Sequence, residues 1–124
     1  MDVTRRATCP PEVAWTVLAD VATWPRWGPS VTAVRLDGCA LGPGARGRLR
    51  TTGGLWLPFE ITRWEEGRRW DWRVAGVPAT GHRVAPDGDG CLVTFEVPWL
   101  AAPYVAVCRI ALRRLAEILE QEPR

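Results

Sequence analysis

Between Val31 and Val97 apolar and polar residues alternate in short runs. In the strictest of them, Arg69-Trp70-Asp71-Trp72-Arg73-Val74, two tryptophans and a valine share one parity and three charged residues the other. A period of two marks a strand with one covered face and one wet face. Val31 to Leu36, Arg46 to Thr52, Leu57 to Trp64, Thr80 to Ala85 and Cys91 to Val97 read the same way. Short turn stretches separate them, among them Asp37-Gly38, Glu65-Glu66-Gly67, Gly76-Val77-Pro78 and Pro86-Asp87-Gly88-Asp89-Gly90. Strands joined so briefly form an antiparallel meander. After Val97 the period becomes helical, from about Ala102 to Glu120. Tyr104, Cys108, Ala111, Leu115 and Ile118 make one stripe, with Val107, Leu112 and Leu119 beside it, while Arg109, Arg113, Glu117 and Glu120 lie away from it. Such a stripe must be buried, and the sheet offers the apolar face to bury it.

Ahead of the meander, Val3 to Thr8 can form an opening strand, and Pro10-Pro11-Glu12 starts a helix carrying Val13, Ala14, Val17 and Leu18. Asp20 can cap a second short helix that holds Val21 and Trp24 and is broken by Pro25 and Gly28-Pro29. The expected architecture is α+β: a curved antiparallel sheet of about seven strands wrapped on a long C-terminal helix, with two short helices after the first strand. At 124 residues the chain is one domain, 1–124.

Composition removes several function classes. No apolar run approaches the roughly 18 residues of a membrane span, and Met1 to Arg6 lacks the apolar stretch of a secretory signal, so the expectation is a cytoplasmic protein with no membrane span. Cys9, Cys39, Cys91 and Cys108 form no C-x-x-C pair, which points to reduced thiols rather than a metal or redox site. One histidine and no clustered acids also predict no metal. The sixteen positive residues are all arginine and alternate with acids and apolar residues, the pattern of a solvated face rather than a nucleic-acid surface. Gly42-Pro43-Gly44-Ala45-Arg46-Gly47 fits G-x-G-x-x-G, but a strand pattern follows where a dinucleotide site needs a helix; it reads as a turn, and no cofactor is expected.

Parity then nominates a pocket. Phe59, Ile61, Trp70, Trp72, Val93, Phe95 and Val97 face inward, as do Leu49 and Thr51, whereas Arg48 and Arg50 face out. Eight tryptophans, at positions 15, 24, 27, 56, 64, 70, 72 and 99, exceed what a core of this size needs. Trp15 and Trp64 read as packing; Trp24, Trp56, Trp70 and Trp72, with Phe59, Phe95 and Cys108, read as the ligand-binding wall. Indole N–H groups there can grip a carbonyl or hydroxyl. His82 shares parity with Val84 and points inward. It is a candidate general acid/base, set against the plainer reading of a strand histidine satisfied by a neighbour. Tyr104, on the helix stripe, is the second proton-moving candidate, and with Arg109 and Arg48 or Arg50 it is a candidate to hold an enolate or carboxylate.

The chain resembles the SRPBCC superfamily, also called START-like or polyketide-cyclase-like. The resemblance rests on Cys9 to Trp15, Asp20 to Trp27, the Leu41 to Arg46 turn, Ile61 to Trp72, and His82-Arg83-Val84 before Asp87-Gly88-Asp89-Gly90. It implies a helix-grip fold with a cavity between sheet and C-terminal helix that receives a hydrophobic small molecule. Members include aromatic polyketide cyclases, lipid carriers and plant hormone receptors, so two expectations stand together. One is a cyclase that folds a planar oxygenated substrate for aldol-type ring closure, with His82 and Tyr104 moving protons. The other is a non-catalytic carrier of a hydrophobic metabolite or lipid. A third expectation is a collapsed pocket, with the domain acting through a partner surface or as a homodimer.

Overall fold

The computed structural model describes residues 1–98 and 104–121. The order is β1 (Asp2–Ala7), α1 (Pro11–Leu18), a 3-10 turn (Val21–Thr23), α2 (Trp24–Trp27), β2 (Val31–Leu36), β3 (Arg46–Thr51), β4 (Trp56–Glu65), β5 (Arg69–Val74), β6 (Val77–Asp87), β7 (Gly90–Glu96) and α3 (Val105–Gln121). The seven strands form one antiparallel sheet in the order β1-β7-β6-β5-β4-β3-β2. Strands β2 to β7 are the expected meander. Because β1 pairs with β7 and β2 lies at the other edge, the elbow of α1, turn and α2 must carry the chain across the sheet.

Local chemistry explains the elbow. Pro11 occupies the first turn of α1, where a missing amide costs nothing. The Asp20 carboxylate accepts from the Ala22 amide at 3.0 Å and starts the 3-10 turn. Pro25 does not break the second helix as expected; it sits in the first turn of α2, where no intrahelical donor is required. Gly28 ends that helix, its amide donating to the Trp24 carbonyl at 2.7 Å. Gly42 to Gly44 lie in the β2–β3 connection and Gly47 within β3, so the glycine-rich stretch opens a strand. At Gly47 a Cβ would stand 2.3 Å from the Arg35 carbonyl oxygen and 2.9 Å from the Phe59 ring, so only glycine lets β2, β3 and that ring close together.

One face of the sheet is dry. Phe59, Ile61, Trp70, Val84, Cys91, Val93, Phe95 and Val97 are buried there, with Cys108, Ala111, Leu112, Leu115, Ile118 and Leu119 of α3. The helix rests on β1 and β7 and against α2, covering one half of the sheet more than the other. Trp15, in the core, and Trp64, half-buried against it, pack edge to face at 5.1 Å. The other face carries ion pairs, one within β5 from Arg69 to Asp71 at 2.9 Å and the others across strands: Arg69 to Glu96 at 2.8 Å, Arg83 to Glu96 at 2.9 Å, and Arg46 to Glu60 at 2.8 Å. Arg48 and Arg50 are exposed, as parity predicts. All four cysteines are free, and only Cys39 is exposed. Among the described residues no helix is long and apolar enough to cross a membrane, and no group of histidine, cysteine and acidic residues could hold a metal ion. Trp99 and the first residues of the expected helix, 102 and 103, lie outside the described residues.

Candidate functional site

The half of the sheet that α3 leaves free becomes a cleft. Its inner compartment, about 60 Å³, is walled by Trp24 and Trp27 of α2, Trp72, His82 and Phe95 of the sheet, and Cys108 of α3. Its outer compartment, about 300 Å³, is walled by apolar residues including Leu49, Leu57, Val74 and Val77. Ser30, Val31, Trp72, Thr80 and Tyr104 belong to both walls, so the compartments adjoin. The outer one alone reaches the lower end of the range for small-molecule sites, roughly 300 Å³.

Most of the expected wall residues gather here, in two layers. Trp24, Trp72, Phe95 and Cys108 line the cleft, with His82 and Tyr104. Trp70 and Phe59 stand behind them. Trp70 is fully buried and stacks on both Trp24, at 5.1 Å and 14°, and His82, at 3.8 Å and 21°. Phe59 meets Trp24 at 5.6 Å and Trp72 at 5.7 Å. These contacts fix the angle at which the lining rings face the cleft. Trp56 departs from expectation. It pairs with Arg50 across β3–β4, on the exposed parity, and its ring lies under the Arg35 guanidinium at 5.0 Å. It therefore belongs to the wet face of the sheet. Arg109 also lies away from the cleft, in a groove shared with Arg5 and Arg113.

His82 points inward and both ring nitrogens are engaged. Nδ1 lies 3.2 Å from the Trp70 carbonyl oxygen, and Nε2 lies 3.1 Å from Thr80 Oγ1. A carbonyl can only accept, so Nδ1 carries the proton and Nε2 accepts from the Thr80 hydroxyl. Trp72 Nε1 in turn donates to Thr80 Oγ1 at 3.1 Å. Burial pushes the imidazole pKa down to about 3, against the Trp70 carbonyl bond, which raises it. Neutral imidazole is thus the resting form.

The other polar groups of the cleft are hydroxyls. Ser30, just before β2, and Tyr104, just before α3, hydrogen-bond to each other across the two walls. The remaining lining indoles face inward chemically as well: Trp24 Nε1 donates to the Leu18 carbonyl at 3.0 Å, and Trp27 Nε1 to Thr23 Oγ1 at 3.1 Å. Trp70 Nε1, behind the wall, is buried without a hydrogen-bond partner among the described residues. The expected grip of indole N–H groups on a ligand is therefore absent among Trp24, Trp27 and Trp72, because the fold uses those donors itself. Trp27, Thr80 and Ser30 are lining residues that the sequence reading did not nominate. Helical spacing from Trp24 signals Trp27, and parity with His82 signals Thr80; nothing local signals Ser30.

A family model described as polyketide cyclase/dehydrase and lipid transport matches residues 1–120. None of the curated proteins matches the chain in sequence. Among solved structures the chain is similar to protein MLL2253 from Mesorhizobium loti, at 13% identity over 100% of this chain and 98% of that one, with a TM-score of 0.79. It is similar to the Aha1 dimer from Colwellia psychrerythraea, at 16% identity over 98% and 96%, with a TM-score of 0.73. It is also similar to DynU16, a protein in the dynemicin biosynthetic locus, at 20% identity over 98% of this chain and 47% of that one, with a TM-score of 0.69. Likeness at these identities shows a shared fold. With the family model spanning nearly its whole length, the chain belongs to the polyketide cyclase/dehydrase and lipid transport family.

Proposed function

We propose that this protein binds a flat or slender apolar molecule in the cleft and holds it without changing it chemically. The supporting observation is the state of His82: neutral, buried, and bonded through both nitrogens to groups of the fold. Aldol-type ring closure needs a base for the proton beside a carbonyl and a donor for the developing enolate. A base with a pKa near 3, its lone pair already taken by Thr80, is poorly matched to that step near neutrality. The other ionisable residues lining the two compartments are Tyr104, whose hydroxyl is held by Ser30, and Cys108, whose thiol burial pushes up. Apolar walls with a few hydroxyls suit retention, which agrees with the lipid transport side of the family.

Incubation with a poly-β-ketone thioester mimic separates binding from catalysis. The expected result is saturable binding with the same product distribution as in buffer alone, for the wild type and for His82→Ala. A distribution altered by the wild type but not by His82→Ala would overturn the non-catalytic reading in favour of a cyclase.

A further inference from the structure

The protons around Thr80 can be assigned one by one, and there they are spent, whereas the Ser30–Tyr104 pair uses one of its two hydroxyl protons and keeps the other. Trp24, Trp27 and Trp72 donate their indole N–H groups to Leu18, Thr23 and Thr80. His82 Nδ1 faces a backbone carbonyl, which fixes the proton on that nitrogen and leaves Nε2 as an acceptor. The Thr80 hydroxyl, 3.1 Å from Nε2, must then donate to it. A hydroxyl oxygen has two lone pairs, and the Trp72 N–H takes one. What Thr80 retains for an occupant is an acceptor site, on a side chain that borders both compartments. We propose that Thr80, held acceptor-only by His82, makes the cleft select apolar ligands that carry a hydroxyl or N–H donor over carbonyl or ether analogues of the same skeleton.

The proposal rests on the reading of the cleft as a ligand site and adds the polarity of the group recognised there. A ligand hydroxyl placed against Thr80 gains one hydrogen bond and leaves nothing unpaired. An ether oxygen in the same place faces only acceptors and loses its water without recompense. His82 acts here as a positioning residue: it sets which way the Thr80 proton points.

Three probes of one skeleton test this: 2-naphthol, 2-methoxynaphthalene and naphthalene, each titrated calorimetrically into the wild type, Thr80→Val and Thr80→Ser. The expected wild-type preference for 2-naphthol over its methyl ether is about three- to tenfold, the span of one ordinary hydrogen bond. Thr80→Val should reduce the ratio to about one, and Thr80→Ser, which keeps the hydroxyl, should preserve it. Equal affinity for the two probes in the wild type, or a preference that survives in folded Thr80→Val, overturns the inference and leaves the ligand cleft standing. Failure of all three probes to bind overturns both. If Thr80→Val does not fold, the wild-type ratio and Thr80→Ser decide the matter alone.

Discussion

Burial holds the His82 pKa at about 3, whereas in the unfolded chain it returns to about 6.5. Between those values the unfolded state binds the extra proton, so stability is complete above the unfolded value and declines as pH falls, by up to about 1.4 kcal/mol per pH unit. Glu96 acts in the same direction at lower pH. A hydrogen bond from Arg69 holds its carboxyl below the usual range, and that contribution disappears as the carboxylate protonates. Urea midpoints should therefore fall between about pH 6.5 and 5, before the carboxylates titrate. A flat midpoint across that window would show that His82 is solvated. Trp70 and Trp72 should separate by role. Trp70→Ala removes a fully buried ring and should cost about 3–5 kcal/mol in denaturant unfolding. Trp72→Leu should keep the fold but weaken ligand binding several-fold, since this ring borders both compartments. Equal losses of stability in the two variants would contradict the division into backing and lining layers.

At the scale of elements, β3 can lie between β2 and β4 because Gly47 has no side chain. Gly47→Ala should destabilise by more than about 1 kcal/mol, because the new Cβ meets a backbone carbonyl that cannot move without parting the strands. Unchanged chemical denaturation would refute that account. Parity read the strands well because most of them have one dry face: the Trp70 and Trp72 side, the inward His82 and the outward Arg48 and Arg50 all follow from counting by two. The nomination of Trp56 comes from the excess of tryptophans and not from parity, which with Phe59 and Ile61 inward turns residue 56 outward; its register with Arg50 puts it on the wet face under Arg35. Pro25 differs from expectation because a proline ends a helix or begins one according to where the first turn falls, and here the 3-10 turn capped by Asp20 runs into a helix that starts at Trp24 and ends at Gly28. Ser30 could not be found from sequence, because its partner Tyr104 lies 74 residues away.

For the whole molecule, the β1–β7 pairing sends the elbow across the sheet, α3 settles on that edge, and the cleft is what neither covers. The tryptophans are also built-in reporters of where a ligand sits. Trp24, Trp27 and Trp72 line the cleft, Trp15 and Trp64 pack together elsewhere in the fold, and Trp56 lies on the opposite face of the sheet. Titration of naphthalene into nitrogen-labelled protein, followed through the indole N–H resonances, tests the cleft directly. Saturable shifts at Trp27 and Trp72, with Trp56 and Trp64 unmoved, are predicted. Shifts centred on Trp56, or no shift at any indole, would contradict a ligand site between the sheet and the C-terminal helix.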